Sequence, residues 1–548
     1  MPPATCPVTN VTISTPFKAR AWATRLIASR YPNPQAAHVL VRSLRTGVDI
    51  SFFGDRSRKQ TGPNLSTAHE HPDAVDNNIE KELGKGRRIG PFSVPPFPFY
   101  YSNPLGVVFK RNKPKPRVIH HLSWPRDTSR SSVNASTIEF QTSHDALDQA
   151  IRSVRQLGRG CFLAKLDIEA AYRCIPVSPN DWPLLGLLWR RHYYFDTVVP
   201  FGLAPASAIF EWYSTAAQHI LQVALAIQHL VHYIDDFMLI MHGIDATRTE
   251  IEQMLSLFDE LGIPIALDKL EGPLTRMVFL GILFDTVAMT ISLDAERLEE
   301  LHAELNLWSG KLTASRQQLQ SLIGQLSFAA KVVPTGRTFI RRMIDHMKSI
   351  PPSTPSDRET PLSNDFYRDL FWWHTFLSKW NGVGIVPDAE WSPAQSLHIY
   401  TDACVTGYGA VCGSQWFQGL WSPEQEAEAV RDQRDSMPFK ELYPLSLAAA
   451  TWGHRWQGKK IMFHCDCLPV VQAWDKGDSS KPSMSRLIRS LLFIASTHDF
   501  NMRIIHIKGK LNDIADCLSR GQHPDSLSFP HQLDPSPTIP SPLPTHTW

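Results

Sequence analysis

Two adjacent carboxylates, Asp235 and Asp236, lie in the stretch Val231-His-Tyr-Ile-Asp-Asp-Phe-Met-Leu-Ile240. Apolar runs flank them on both sides. Each run is too short for a comfortable helix and suits a buried strand. Two strands meeting at an Asp-Asp tip make a hairpin with negative charge at its turn. Adjacent acids in such a place repel each other and resist desolvation. A bound divalent cation resolves both problems, and magnesium suits one or two carboxylates, waters and substrate phosphates. An ordinary hairpin with a polar turn carries the same pair, so other segments must decide between the readings.

Phe162-Leu-Ala-Lys-Leu-Asp167 reads as a strand ending in an acid. A carboxylate at a strand end beside a polar crevice is a common site position in mixed sheets. Asp167 is therefore a candidate third acid, and Ile168-Glu-Ala-Ala-Tyr172 turns or begins a helix after it. Pro200-Phe-Gly-Leu203 follows a strand-like stretch and precedes a helix over 204–213. Gly202 there allows a backbone or ligand to come close. Upstream, Pro104 to Lys110 reads as a strand, Arg111 to Arg117 as a basic turn, and Val118-Ile119 as the start of a second strand. Such a hairpin places Lys110, Lys113, Lys115 and Arg117 around one loop that can grip a polyphosphate. Residues 295–348 look helical, and Arg337, Arg341 and Arg342 form a basic face suited to phosphates. Farther on, Leu397 to Asp402 and Ile461 to Asp466 are two more strands ending in acids. Glu441 opens an Ala-rich helix between them, and Asp516 lies on a short helix after the strand Met502 to Ile507.

The elements that must hold these residues are those of a multidomain chain. Its 548 residues suffice for several domains. A net charge of +2 announces no nucleic-acid partner by itself, so local clusters carry that argument. The 8 cysteines match no zinc spacing and imply no disulfide framework. The opening Met1-Pro-Pro has no signal-peptide pattern, and the apolar runs are too short to cross a bilayer. A soluble, intracellular protein is expected, in the cytoplasm, the nucleus or both. Residues 1–90 read as a helical and linker region, with helices near Thr15 to Leu26 and Ala36 to Leu44 and a polar loop over 54–78. Residues 349–395 read as a connector holding Phe371-Trp-Trp373 and Trp380. Alternating strands and helices from about 396 to 520 predict an α/β layer fold. Residues 521–548, rich in Pro, Ser and Thr, read as a disordered tail or linker.

In this order the motifs resemble a retroelement reverse transcriptase followed by a ribonuclease H domain, over roughly Asn103 to Arg520. Tyr233-Ile-Asp-Asp236 matches the family's Tyr-x-Asp-Asp hairpin. Leu166-Asp-Ile-Glu-Ala-Ala-Tyr172 precedes it, Pro200-Phe-Gly-Leu203 lies between, and Leu267-Asp-Lys269 and Phe279-Leu-Gly281 follow. Glu441-Leu-Tyr-Pro, Phe463-His-Cys-Asp466, Ile514-Ala-Asp-Cys-Leu-Ser-Arg520 and the Pro-rich tail are most similar to the DIRS-type retrotransposons, whose other enzyme is a tyrosine recombinase. Gypsy-type elements and pararetroviruses share the main motifs. With no protease motif and no zinc knuckle, the chain looks like the polymerase part of an element.

The resemblance implies an α+β and α/β multidomain architecture. It comprises fingers and palm over 91–290, a thumb over 291–348, the connector over 349–395 and an RNase H-like domain over 396–520. It implies RNA-directed DNA synthesis with two Mg²⁺ ions per active site, Mn²⁺ being an alternative. Asp167 and Asp235 would hold the ions, with Asp236 supporting, and Lys269 would protonate the departing pyrophosphate. Lys110 and Arg117 would hold the triphosphate, Tyr172 would gate the sugar, and Phe201 and Gly202 would lie against the incoming nucleotide. Phe279, Leu280 and Gly281 match the primer grip. Asp402, Glu441, Asp466 and Asp516 match the metal-binding acids of ribonuclease H, which cuts the RNA strand of a hybrid. Many relatives carry a histidine where this chain has Lys508-Gly-Lys510. The expected partners are an RNA template, a DNA primer, RNA/DNA hybrid and dNTPs, with other element-encoded proteins alongside. A domesticated copy that binds nucleic acid without catalysis is the competing reading, and a telomerase-like cellular polymerase is a third.

Overall fold

The computed structural model describes residues 13–110, 113–125, 131–138, 145–333, 336–355, 357–377, 382–384, 391–431, 436–477, 479, 481–522 and 533–543. Arg111, Asn112, Trp380 and tail residues 523–532 and 544–548 lie outside these, as do the side chains of Lys110, Lys113 and Lys115. The chain forms two compact units. One comprises residues 1–153 and 160–277, the other 154–159 and 278–548. The mixed α+β and α/β multidomain architecture expected from the sequence is what the structure shows.

The first unit is built on a four-stranded antiparallel sheet. Its order is Glu271–Leu274, Phe162–Asp167, Asp236–Met241, Leu230–Tyr233. Leu163, Ala164 and Leu166 of one strand and Phe237 to Ile240 of its neighbour are buried, as an apolar run covered on both faces requires. The helices Ala206–Ala224 and Ile244–Leu261 share its core, through Phe210, Tyr213, Met254 and Phe258. A five-stranded sheet runs Lys59–Thr61, Tyr100–Ser102, Gly186–Trp189, His192–Asp196, Arg88–Phe92. The basic hairpin pairs Leu105–Lys110 with Lys113–His120, so its second strand begins five residues earlier than Val118.

Residues 54–78 are not a plain loop. Helices Ser66–Glu70 and Pro72–Gly84 occupy much of that stretch. Proline at the first helical position and Asp73 in the first turn start the second helix. Val75 and Ile79 then bury one turn apart against Leu105, Val107, Leu187 and Trp189. The polar composition hid a helix whose buried apolar residues are only these two, its third buried side chain being Glu82, which accepts from Arg173.

The main stretch of the second unit begins at Val278, within the strand Arg276–Phe279, and continues with Ile282–Asp285, which is paired to Thr290–Leu293. Helices Ala295–Ser309 and Arg316–Ala329 follow, separated by the short strand Thr313–Ser315. A capping box at Ser315 and Gln318 starts the second of these. The helix Asn364–Phe376 buries Phe366, Leu370, Trp372 and Trp373, and Trp372 stacks on Phe339 with centroids 4.2 Å apart. A five-stranded mixed sheet then runs Gln415–Leu420, Gly407–Cys412, Leu397–Ala403, Lys460–Cys465, Asn501–His506. Its first three strands are antiparallel and its last two join in parallel. Helices Met437–Trp452 and Pro482–Thr497 pack on it.

The tail differs from the expected disordered segment over 533–543. Asp534 N donates to Ser414 O at 2.9 Å and Thr538 N to Trp416 O at 2.7 Å. Trp416 Nε1 donates to Asp534 O at 2.8 Å. The segment thus lies along Gln415–Leu420, the outer strand of its sheet, and satisfies backbone groups that an open edge would leave bare.

Candidate active sites

Register brings the first acids together. Asp236 pairs directly with Asp167 across antiparallel strands, and directly opposed side chains share one face of a sheet. Ile168 N donates to Asp235 O at 3.1 Å, which ties the hairpin tip to the end of the neighbouring strand. Tyr233 pairs with Asp236, so Ile234 and Asp235 form a two-residue turn. Burial, then Asp235, then Asp167 push the Asp236 carboxyl up to about 6. Burial is also the main cause that raises Asp235, with Asp167 adding to it. Asp235 and Asp236 are thus crowded beside Asp167 where their own charged forms are disfavoured, as an electropositive ligand would relieve.

Lys269 reaches the same place. Its Nζ donates to Asp167 Oδ2 at 2.6 Å, and this bond raises the lysine's pKa. Tyr172 OH bonds Ser207 Oγ at 2.9 Å, and its ring lies 5.5 Å from that of Phe201. Burial raises the phenol. Phe201 is exposed. Gly202 has φ +99°, and a Cβ there would meet His120 O at 2.5 Å. Its glycine is therefore demanded by a close backbone crossing in the chain itself. Arg117 is exposed on the basic hairpin.

Several residues of this site had no signal in the sequence. Asn134 Nδ2 donates to Gly202 O at 2.9 Å and Ala204 N donates to Asn134 Oδ1 at 2.8 Å, so one amide clamps the Pro-Phe-Gly-Leu turn. On the helix Ala206–Ala224, Glu211 Oε2 accepts from Ile234 N at 3.2 Å, and Ser214 Oγ donates to Ile234 O. Glu211 Oε1 also bonds His232 Nε2 at 3.1 Å, and Gln218 Oε1 bonds the ring's Nδ1. Only the helical spacing of 211, 214 and 218 hinted that they share one face.

The second unit gathers the other four acids. Glu441, Cys465 and Asp466 offer ligand atoms within 4.8 Å of one another. Burial, then Asp402 and Asp466 push Glu441 up to about 9. Its Oε2 is buried with no hydrogen-bond partner among the described residues. Burial, countered by Ser519 and reinforced by Asp466 and Asp516, brings Asp402 to about 6. Ser519 Oγ donates to Asp402 Oδ2 at 2.8 Å, and Asn512 Nδ2 to Thr401 O at 2.9 Å. Asp516 accepts from Arg520 Nη2 at 2.7 Å. Cys465 was not expected in this group; burial raises its thiol well above the usual range.

Phe279 is buried, and Leu280 and Gly281 have φ +51° and +76° in a tight turn. The three arginines do not present one basic face. Arg342 N donates to Asp369 Oδ2 at 3.2 Å, and its guanidinium lies 3.7 Å from the same fully buried carboxylate. Arg341 pairs with Asp345 at 3.2 Å, and Arg337 is exposed. Asp369, which also accepts from Arg489 Nη1 at 3.1 Å, draws Arg342 inward.

The fold and its crowded carboxylates define an α/β protein with one acidic hairpin site and one acidic cluster on a second sheet. Residues 116–284 match the family of reverse transcriptase (RNA-dependent DNA polymerase). The chain thus carries a reverse transcriptase domain, with retroelement polyproteins among its relatives. It is similar to Polyprotein P3 of Commelina yellow mottle virus, 23% identical over 396 residues, which cover 71% of this chain and 19% of the relative. It is also similar to the Transposon Tf2-3 polyprotein of Schizosaccharomyces pombe, 22% identical over 372 residues, 65% of this chain and 25% of the relative. The chain therefore spans about a quarter or less of these relatives' length. Among solved structures, a foamy viral protease-reverse transcriptase in complex with double-stranded DNA aligns with 89% of this chain and 82% of its own, at 14% identity and a TM-score of 0.49. No helix among the described residues is long and apolar enough to cross a membrane.

Proposed function

We propose that the chain is the RNA-directed DNA polymerase of a retrotransposon, with ribonuclease H activity in its second unit. The observation that carries the first half is the register of Asp167 against Asp236 with Asp235 at the adjoining tip, inside the stretch that matches the reverse transcriptase family. Crowded, desolvated carboxylates fit Mg²⁺, and Asp167, Asp235 and Asp236 would hold it. Bound there, the ion supplies Lewis-acid activation of a primer hydroxyl and neutralises phosphate charge.

The chain's own groups do the rest. Lys269 carries protons next to Asp167 and is placed to donate one to departing pyrophosphate. Tyr172, held by Ser207, presents its ring beside Phe201 as a sugar gate. Lys110 and Arg117 would hold the triphosphate, and Phe279, Leu280 and Gly281 the primer end. Arg337 is the arginine of its group left to meet a phosphate backbone, because Arg341 and Arg342 are engaged elsewhere.

In the second unit, the unpartnered Glu441 oxygen and the neighbouring Asp402, Asp466 and Asp516 fit the same cation. The substrate class is the RNA strand of a hybrid, told from DNA by its 2′-hydroxyls. The Lys508-Gly-Lys510 loop stands where many reverse transcriptases carry a histidine. It passes close to Asp466, because a Cβ on Gly509 would lie 3.2 Å from Oδ2. The DIRS-type affiliation rests on the motifs of the second unit, on the Pro-rich tail and on the segments Thr15-Pro-Phe-Lys18 and Glu70-His-Pro72. The deciding experiment is primer extension on an RNA template with Mg²⁺. Incorporation by the native chain and a loss of roughly 100-fold or more in Asp235→Asn are expected, as removal of a charge-stabilising group gives. Template-dependent synthesis by Asp235→Asn at the native rate would overturn the reading.

A further inference from the structure

The hairpin tip carries backbone strain at a residue poorly suited to bear it. Ile234 has φ +56°, in the left-handed region. A β-branched side chain is a genuine outlier there, and such conformations persist only where surrounding structure over-determines them. The surroundings do so from one helix. Glu211 Oε2 accepts the Ile234 N–H at 3.2 Å and Ser214 Oγ donates to the Ile234 carbonyl, so both polar backbone groups of this one residue are held by side chains three apart on Ala206–Ala224.

Glu211 is itself fixed. Its other oxygen bonds His232 Nε2 at 3.1 Å. The opposite ring nitrogen bonds Gln218 Oε1, and the Gln218 amide is oriented by donating its Nε2 to Leu230 O at 2.6 Å. The His232 ring stacks on Phe237 with centroids 5.5 Å apart. One helix face therefore grips the hairpin at 230, 232 and 234, one residue short of Asp235.

From this juxtaposition we propose that Glu211 is a positioning residue: with Ser214 it clamps Ile234 in the left-handed conformation and so fixes where the Asp235 carboxylate stands. The proposal rests on the polymerase reading of the same site. Glu211 bonds the tip through backbone and histidine, so its loss should move the catalytic acid without removing a nucleotide contact.

The test is steady-state primer extension by the full chain, combining Glu211→Ala with Ile234→Gly. Glycine adopts positive φ without cost, so it removes the need for the clamp. Glu211→Ala should lower kcat about 10-fold, the order expected from losing control of one strained residue, with KM for the nucleotide changed less than about 2-fold by the same reasoning. Ile234→Gly in that background should restore most of the lost kcat. Native kcat in Glu211→Ala, or losses in the double variant that simply multiply those of the singles, would overturn the clamp. If Glu211→Ala fails to fold, Ser214→Ala removes the carbonyl side alone, and the same rescue decides. An inactive native chain would sink the polymerase reading instead, which keeps the two failures distinct.

Discussion

At the scale of single residues, the acids are tuned by their neighbours in ways that solution measurements can read. Asp236 is raised to about 6 by burial and by the two acids beside it, and Asp235 moves in the same direction. Protons and cation compete for these oxygens. The Mg²⁺ concentration that half-saturates primer extension should therefore rise as pH falls through 6, by about tenfold per unit for each proton displaced. A Mg²⁺ midpoint that stays flat between pH 5.5 and 7.5 would refute this. Glu441 gives the opposite readout on stability. Its folded-state pKa is raised from 4.5 to about 9, so between those values the folded chain holds a proton that the unfolded chain releases. Stability from this group is then largest at low pH and is lost as pH rises toward 9. Glu441→Gln copies the protonated form. Without metal, its melting temperature should exceed that of the native chain by a margin that grows from pH 5 to pH 8. Added Mg²⁺ should stabilise the native chain more than the variant.

At the scale of elements, close packing places the second cluster. Gly409 lies where the strand Gly407–Cys412 meets the helix Asp513–Ser519. A Cβ there would meet Leu518 Cβ at 2.5 Å and Ser519 N at 2.9 Å. Both are fixed parts of the helix that carries Asp516 and the Ser519 hydroxyl on Asp402. Gly409→Ala should push that helix outward, destabilise the domain by about 1–3 kcal/mol as overpacking does, and weaken hybrid cleavage. Denaturation and cleavage assays on the same preparation check both. The strands ending in Asp167, Asp402 and Asp466 were legible in the sequence, because a short apolar run closed by an acid is a local signal. What the sequence did not disclose depends on register and distant partners. Glu211 and Asn134 are unremarkable polar residues until the turns they hold come within reach. Arg342 read as a surface cation because nothing local announces Asp369, 27 positions away and fully buried. The helix Pro72–Gly84 was missed because its apolar stripe is only two residues deep at the core. The Pro-rich segment 533–543 reads as a disordered tail or linker because its bonds run to a strand more than a hundred residues earlier.

At the scale of the whole molecule, the two acidic groups belong to separate compact units. Asp167, Asp235 and Asp236 lie in the first, and Asp402, Glu441, Asp466 and Asp516 in the second. Each group draws its carboxylates from one sheet and the elements packed on it, and no described acid is shared between them. Chemistry at one site should then survive damage at the other. Asp235→Asn should abolish DNA synthesis while leaving cleavage of a preformed RNA/DNA hybrid within about 2-fold of native, since sites that share no partners behave additively. Asp466→Asn should do the converse. Mixed in one reaction, the two variants should together degrade an RNA template and copy it, which neither achieves alone. Loss of both activities in either single variant, with thermal melting unchanged, would show that the units do not act independently and that one acidic group serves both reactions.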